Sequence, residues 1–435
     1  MYKITRKNRQ VKVAAATAAI GSIAAIGFAG NSPAQADPLQ YTSPLFGFGS
    51  DTLQDVTNAF AGYSNNTSFK PVVTDNGRVM VSWDAYAPGA PGTAANCITT
   101  KTGTGQMLRP NGSTAGLRAL SATAGGGLWP ATGTSCGGPR AMTGIVDFAR
   151  SSSAPTAPDA SGPLQYIPAF KDALGFAYVK PTNVGAAQTS LTVEQLRNLH
   201  VVGPQLIGGT AVIACGIQTS SGTYGTWMNN IGAPTVTTGT RDEGTNACNA
   251  LGLPAGTAAI NGRLQESNSP DLLTQGGQLS SLSLDICDGI VDTNLAPCTN
   301  AQLIVGYSAS QFIARGNGVG TPNSSLASQN GGFGLVDGRQ AVTGTAPNLT
   351  AVSAAYDDAT FGRTVYYVVP FNKVSGNSAS PALQDMFVTD ANGPAKFCTA
   401  AEPGKAAGST ILQHGFLEIA TCGVLSSANR ANLVS

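Results

Sequence analysis

Ser221, Gly222 and Thr223 stand together in the stretch IQTSSGTYGTW (217–227), directly before residues that could begin a helix. A helix N-terminus leaves backbone N–H groups unpaired and carries partial positive charge. Glycine lets a ligand approach the backbone, and hydroxyl groups add donors, so such a loop can bind a tetrahedral oxyanion without a metal. The same residues would also form an ordinary N-cap, and one loop alone favours the cap.

Three further segments have the same chemical character: GFGSDTLQDV (47–56), RPNGSTAGLRAL (109–120) and DFARSSSAP (147–155). Each places Gly, Ser or Thr where a strand-like run gives way to a helix-like run, and two of them carry an arginine, whose planar fork suits a phosphate or sulfate edge. The four loops together predict an oxyanion site. Its candidate ligands are Ser50, Asp51, Thr52, Arg109, Gly112, Ser113, Arg150, Ser151, Ser152, Ser153, Gln218, Ser221, Gly222 and Thr223.

The elements that must position these loops alternate along the chain. Strand-like runs are RVMVSW (78–83), GIVDFA (144–149), ALGFAYVK (173–180), TAVIACGI (210–217) and TVYYVVPF (364–371). Helix-like runs are TLQDVTNAFAGY (52–63), TAGLRALSA (114–122) and SLTVEQLRNLH (190–200). This alternation predicts an α/β protein with a sheet core. The 435 residues are 42% hydrophobic, which argues against disorder. The chain has 24 Lys and Arg against 23 Asp and Glu, so it has no basic surplus that would favour nucleic-acid binding.

The first 36 residues read as a secretory signal. A basic start and an apolar core, VAAATAAIGSIAAIGFAG, lead to the small-x-small site Ala34-Gln35-Ala36, which predicts cleavage near Ala36. Removal of the segment would leave 19 basic and 23 acidic residues, a net charge of −4. The mature protein is therefore expected to be secreted or periplasmic.

Eight cysteines in an exported chain predict disulfide bonds. None forms a CxxC pair and the chain has two histidines, so zinc is a poor interpretation, and we expect neither metal nor cofactor. Sequential pairing is the working hypothesis among many connectivities. It joins Cys97 to Cys136, Cys215 to Cys248, Cys287 to Cys298 and Cys398 to Cys422.

An ordered set of motifs resembles the PstS-like phosphate-binding proteins of the type 2 periplasmic-binding-protein family, in particular their divergent secreted, disulfide-bearing actinobacterial-type members. The matching stretches are GSDTLQ, RPNGSTAGLRAL, IVDFARSSSAP, YIPAFKDALGFAYVKP, LTVEQLRNL, IQTSSGTYGTW, LIVGYSASQFIA and RTVYYVVPF, within residues 45–375. The resemblance implies two α/β lobes joined by a hinge, a clamshell that closes on inorganic phosphate or a similar oxyanion. It also implies a monomer that delivers its ligand to an ABC transporter membrane complex, with no enzymatic turnover.

The resemblance transfers binding positions unevenly. The family's first loop corresponds to Ser50, Asp51 and Thr52, its glycine-serine helix start to Gly112 and Ser113, and its Ser-Gly-Thr motif to Ser221, Gly222 and Thr223. Phosphate binders usually carry an acidic residue where Ser152 or Ser153 stands here, and often an arginine where Ile217 stands, with Gln218 beside it. Arg109 and Arg150 are candidates for the missing cation, and Asp51 for the missing acid.

The resemblance also implies domain limits. Lobe 1 would comprise residues 37–172 and 306–435, and lobe 2 residues 173–305, with the crossings near ALGFAYVKP and GYSASQF. Every hypothesised disulfide then falls within one lobe, as a closing hinge requires.

Two other functions stay open at this stage. Gly133-Thr134-Ser135-Cys136-Gly137 matches the G-x-S-x-G motif of serine hydrolases, but its flanks read as loop. A secreted adhesion or surface protein on the same scaffold is the other alternative. His200 is interpreted as a helix-end residue and His414 as a packing or surface residue. The three tryptophans are interpreted as anchors of the core or of loops; they are Trp83, Trp129 and Trp227. Glu266 could reach the cleft, but a solvated loop is the favoured interpretation.

Overall fold

The computed structural model describes residues 44–62, 69–85, 97–101, 103–179, 187–233, 264, 266, 283–284, 296–297, 301–320 and 331–435. The predicted signal segment 1–36 and the cysteines Cys248, Cys287 and Cys298 lie outside the described residues.

The strands are short except at the centre of the sheet. They are β1 Leu45–Gly49, β2 Met80–Ser82, β3 Cys97–Ile98, β4 Met107–Leu108, β5 Leu128–Trp129, β6 Arg140–Ala141, β7 Phe148–Ser151, β8 Leu164–Val179, β9 Ser190–Leu191, β10 Gln205–Ile207, β11 Thr210–Cys215, β12 Ser283–Leu284, β13 Ala296–Pro297, β14 Gln302–Ser308, β15 Gly331–Val336, β16 Val342–Thr343, β17 Thr350–Ala351, β18 Gly362–Pro370 and β19 Arg430–Ala431.

The helices are α1 Gln54–Phe60, α2 Gly112–Gly125, α3 Val193–Val201, α4 Gly222–Asn230, α5 Ala309–Gly316, α6 Ser353–Tyr356, α7 Pro381–Phe387 and α8 Ser409–Gln413. Their ends follow local chemistry. Thr192 forms a capping box with Gln195 at the start of α3. Gly126 ends α2 in the left-handed conformation that glycine adopts without strain.

One mixed sheet organises the described residues, in the order β10-β11-β14-β8-β18-β7-β1-β2. β1 runs parallel to β2 and β7, β11 runs parallel to β14, and the pairs that involve β8 or β18 are antiparallel. The predicted α/β class is confirmed.

The 16-residue strand β8 belongs to both halves of this sheet. Its first part, 164–173, pairs with β18, and its last part, 174–179, pairs with β14. The sequence predicted a strand only over 173–180, which overlaps the last part of β8. Pro168 lies at a register shift in the β8–β18 ladder, a position that tolerates a residue without a backbone donor.

Three hydrophobic clusters pack on the sheet. Two of them bury β1, β7 and the first part of β8 together with the C-terminal elements. The third surrounds β11, β14 and the last part of β8, and it includes Phe312, Tyr356 and Phe361. The lobe limits 37–172, 173–305 and 306–435 stay a prediction. Buried residues of the described segments 309–320 and 331–361, assigned to lobe 1 from the sequence, pack in the third cluster.

Two of the hypothesised disulfides are confirmed. Cys97 is bonded to Cys136 and Cys398 to Cys422. Cys215 is also disulfide-bonded, while its hypothesised partner and the Cys287–Cys298 pair lie outside the described residues. Among the helices of the described part of the chain, none is long and apolar enough to cross a membrane.

Candidate functional site

The direction of the strands brings the Ser/Thr loops together. β18 is antiparallel to both β7 and β8, so β1, β7 and β8 point the same way. β14 is antiparallel to β8, so β11 and β14 point the opposite way. Because the two sets flank opposite ends of β8, the loop after β1 and the loop after β7 face the loop after β11. Hydrogen bonds cross between them, such as the bond from Gln218 Nε2 to Asp51 Oδ2 at 2.9 Å.

Three hydroxyl groups from these loops surround one carboxylate. Ser221 Oγ donates to Glu266 Oε2 over 2.6 Å. Thr223 Oγ1 and Thr52 Oγ1 donate to Glu266 Oε1 over 2.8 and 2.9 Å. All four residues are buried, and Glu266 and Thr223 have no exposed surface. The interpretation of Glu266 as a residue of a solvated loop is wrong.

A backbone pairing with the residues that follow β11 positions Glu266 in the site. Leu264 forms a parallel bridge with Ile217, donating to Gly216 O and accepting from Gln218 N, both over 2.9 Å. Two residues later, Glu266 N donates to the side-chain oxygen of Gln218 over 2.8 Å. No local pattern in the sequence marks this pairing, since it joins segments 47 residues apart.

The cation at this cluster is Arg363, which the sequence analysis did not single out. Its Nη2 donates to Thr223 Oγ1 over 2.8 Å and lies 3.2 Å from Thr52 Oγ1. Its Nε and Nη2 both bond Asp172 Oδ2, over 2.9 and 2.7 Å. Arg363 begins the stretch RTVYYVVPF, whose apolar residues predict a strand, and it is the one charged residue of β18.

Asp51 lies in the same neighbourhood and does not cap a helix. α1 begins at Gln54 with Leu53 as N-cap, and no side chain caps it. The Asp51 carboxylate instead accepts a hydrogen bond of 2.9 Å from Gln218 Nε2, across the meeting point of the two halves. Gln218 Nε2 also lies 3.5 Å from Asn111 Oδ1. Asp51 and Gln218 are therefore brought together, as the prediction of one site requires.

A second group of hydroxyls converges on Gly222. Ser113 Oγ lies 3.2 Å from Ser152 Oγ and also accepts from Ser152 N over 3.2 Å. A methyl group added to Gly222 would lie 2.6 Å from Ser152 Oγ, 2.9 Å from Ser113 Oγ and 3.2 Å from Ser153 Oγ. Gly112, with φ of +82°, lies against Ser220, where an added Cβ would be 2.6 Å from the carbonyl oxygen. Glycine at both positions permits the close approach of α2 and α4.

Ser221 is also the N-cap of α4. Its Oγ accepts from Thr223 N over 3.0 Å and from Tyr224 N over 3.4 Å. The hydroxyl thus accepts from the helix while it donates to Glu266. Capping and contact with an anionic oxygen are compatible at this residue.

The two predicted arginines bind backbone oxygens. Arg150 is fully buried, and its guanidinium donates to Ser50 O, to Gly49 O and to Ser82 Oγ. Burial lowers the pKa of Arg150, and the nearby Asp84 and Asp51 carboxylates oppose that shift. Arg109 Nη1 donates to Asp84 O over 2.9 Å. Ser151 Oγ likewise turns to the backbone, donating to Ser153 O. The role of these residues as anion ligands stays a prediction.

The electrostatics centre on Glu266. Burial raises its pKa from 4.5 to about 7, the Asp51 carboxylate adds to the rise, and Arg363 with the hydroxyls of Ser221 and Thr223 opposes it. The pKa near neutrality means that this carboxyl exchanges its proton in the physiological range. No group of three or more metal-ligating side chains occurs within the described residues.

Two buried donors of the site lack a hydrogen-bond partner among the described residues. These are Ser50 Oγ and Arg363 Nη1. An unpaired buried donor is costly, so such atoms mark positions that a ligand could complete. The arrangement combines hydroxyls, helix N–H groups and an arginine, which suits a small oxyanion.

The serine-hydrolase motif lacks its structural context. Ser135–Gly137 forms a short 3₁₀ turn between the two-residue strands β5 and β6, and Cys136 is disulfide-bonded. A nucleophile elbow requires a strand before the serine and a helix after it. His200 is buried and accepts from Trp227 Nε1 over 3.2 Å, and His414 Nδ1 lies 2.7 Å from Thr410 O, so both histidines pack inside the protein.

Comparison with known proteins gives likeness in solved structures alone. No family model matches the sequence, and no curated protein does. An ABC-type phosphate transport receptor from Vibrio cholerae is 13% identical, with 86% of this chain and all of that chain covered and a TM-score of 0.40. A DING protein is 15% identical, with 87% and 91% covered and a TM-score of 0.42. A phosphate-binding protein from Stenotrophomonas maltophilia is 14% identical, with 88% and 92% covered and a TM-score of 0.39. These values are too low to transfer a ligand.

Proposed function

We propose that this chain is an exported solute-binding protein that holds a small oxyanion, inorganic phosphate first, at the meeting point of its Ser/Thr loops. The observation that carries the proposal is the ring of Thr52, Ser221 and Thr223 hydroxyls, which already hold the oxygens of a carboxylate next to Arg363. Donors that accommodate one oxyanion in a buried position are suited to another. Binding uses hydrogen bonds and charge, with no covalent step.

The arrangement of the sheet supports a clamp. The site lies between the half built on β1 and β7 and the half built on β11 and β14, and β8 runs through both. A bound anion would join donors from both halves, and opening would separate them. We propose that this motion, a two-lobed clamshell of the type 2 periplasmic-binding-protein kind with its hinge at β8, admits and releases the ligand.

The proposed partner is the membrane complex of an ABC importer, and the proposed location is outside the cytoplasmic membrane after removal of residues 1–36. The motif resemblance and the disulfides Cys97–Cys136 and Cys398–Cys422 support this location, because disulfides persist in oxidising compartments.

A pair of glycine substitutions in α4 tests the site. Gly222→Ala puts a methyl group among the Ser113, Ser152 and Ser153 hydroxyls, whereas Gly225→Ala meets nothing within 4 Å. We expect calorimetric titration to show one phosphate per wild-type chain, a similar affinity for Gly225→Ala, and a large loss for Gly222→Ala with the fold retained. Sugars should give no heat of binding. Undiminished phosphate binding by Gly222→Ala would place the ligand elsewhere, and binding of a sugar but of neither phosphate nor sulfate would overturn the proposal.

A further inference from the structure

Glu266 occupies the position at which an external oxyanion would be bound. Its two carboxylate oxygens take the hydroxyls of Ser221, Thr223 and Thr52, at 2.6, 2.8 and 2.9 Å. These are short, charge-assisted hydrogen bonds with all participants buried. The carboxylate of Glu266 is therefore an internal anion bound at the site.

The hydrogen atoms of these hydroxyls leave none for a second anion. Each hydroxyl has one proton, and an ionised Glu266 accepts all three. Thr52 Oγ1 and Thr223 Oγ1 also lie 3.0 Å apart, and both accept from Arg363 Nη2. An external oxyanion can use these donors only when Glu266 gives them up.

Charge leads to the same conclusion. Asp51 lies close enough to raise the pKa of Glu266, and Asp172 takes both the Nε and the Nη2 bonds of Arg363. Arg363 is therefore already paired with Asp172, and its charge also acts on Glu266. A phosphate added beside an ionised Glu266 would bring like charges together at one buried cation, which is unfavourable.

The main chain near Glu266 is held by contacts that do not involve its carboxylate. The bridge of Leu264 with Ile217 and the Glu266 N–H bond to Gln218 fix the main chain beside β11's exit. Rotation of the Glu266 side chain would release all three hydroxyls and leave that pairing in place.

We propose that Glu266 is an internal competitor for the oxyanion site: its carboxylate fills the site in the absence of ligand, and phosphate binds by displacing it. The proposal rests on the oxyanion-binding function proposed above. The affinity of the site for phosphate is then set by the fraction of molecules in which Glu266 has withdrawn.

The test removes the competitor and offers a replacement. Glu266→Ala, Glu266→Gln, wild type and the exposed-site control Glu194→Ala are titrated calorimetrically with inorganic phosphate and, separately, with acetate. We expect Glu266→Ala to bind phosphate about tenfold or more tightly than wild type. A tenfold gain corresponds to a wild-type site that Glu266 leaves free in about a tenth of the molecules. Glu266→Gln, which keeps the volume and loses the charge, should gain less. Acetate should bind Glu266→Ala and not wild type or Glu194→Ala.

The outcomes separate this inference from the function on which it rests. The inference would be overturned if phosphate affinity fell or stayed level in both Glu266 variants and neither bound acetate. A fall in affinity would indicate that Glu266 is itself a ligand of phosphate. Acetate binding by Glu266→Ala without phosphate binding by any variant would support the internal competitor and overturn phosphate as the ligand. Thermal melts identify a variant that fails to fold, and Glu266→Gln then decides.

Discussion

Arg363 and Asp172 face each other across the β8–β18 ladder, and their side chains pair over the site. They are direct partners in register, and Arg363 Nε and Nη2 both reach Asp172 Oδ2, at 2.9 and 2.7 Å. Both side chains are buried. The pair holds the guanidinium so that Nη2 also meets the hydroxyl of Thr223. A strand register thus determines where the positive charge of the site lies.

Arg363→Lys should weaken oxyanion binding. An ammonium group is a single point and cannot hold Asp172 through two nitrogens while it also serves the hydroxyls. We expect a loss of about 1.5–3 kcal/mol of binding free energy, the range for a hydrogen bond to a charged group. Phosphate titration measures the loss, and Arg118→Lys, near the chain end at Ser435, is the control. Equal phosphate affinities of Arg363→Lys and Arg118→Lys would show that Arg363 does not contribute to binding.

Arg150→Lys should affect stability more than affinity. The Arg150 guanidinium holds the carbonyl oxygens of Ser50 and Gly49 from a fully buried position. Loss of the fork should lower the free energy of unfolding by about 1–3 kcal/mol, because buried carbonyls lose their donors. Urea unfolding checks this. An unchanged unfolding curve with weakened phosphate binding would instead support the sequence-based role of Arg150 as an anion ligand.

Ser221→Ala should lower both stability and affinity, whereas the matched cap substitution Thr192→Ala should lower stability alone. Both residues cap a helix, α4 and α3, and loss of such a cap costs about 0.5–2 kcal/mol. Only Ser221 also donates to the oxyanion position. Thermal melts with and without phosphate distinguish the effects. A cap-sized loss with full phosphate affinity in Ser221→Ala would leave the loop with a structural role only.

The contribution of Glu266 to the stability of the ligand-free protein should decrease as the pH rises from about 4.5 to about 7. The pKa of Glu266 is raised to about 7 in the folded protein, so over this window the folded state binds more protons than the unfolded state. The stabilisation is fully present below the unfolded pKa and is lost through the folded pKa, up to roughly 3 kcal/mol at 1.36 kcal/mol per pKa unit. Urea unfolding of wild type and Glu266→Gln at several pH values tests this. An equally steep decline in Glu266→Gln would assign the effect to another group.

Asp51→Asn should narrow the preference for phosphate over sulfate. Hydrogen phosphate carries a proton that a buried carboxylate can accept, while sulfate would meet that carboxylate without a hydrogen bond. Asp51 is buried and held by Gln218 at 2.9 Å, which keeps its carboxylate at the site. Competition titrations with the two anions measure the ratio. Equal affinities of the wild type for sulfate and phosphate would show that Asp51 does not select phosphate by accepting its proton.

The sequence predicted the parts of the site that follow strands and missed those that arrive by long-range pairing. Thr52 and Ser221 to Thr223 follow β1 and β11 in patterns of glycine and hydroxyl residues, and such loops gather at the carboxyl ends of strands. The sequence does not indicate the role of Arg363, because that role depends on the register with Asp172. The burial of Glu266 is not evident in the sequence either, because nearby Leu264 pairs with Ile217, which is far away in the chain.

The continuity of β8 has a consequence for how the molecule comes apart. Residues 164–173 of this strand are held by β18 and residues 174–179 by β14 and β15. If either half of the sheet unfolded, one part of β8 would lose its paired strands. The other part of β8 would still be needed by the half that remained folded. We therefore expect the two halves to form a single cooperative unit, and neither to persist as an autonomous fragment if the chain were divided within β8.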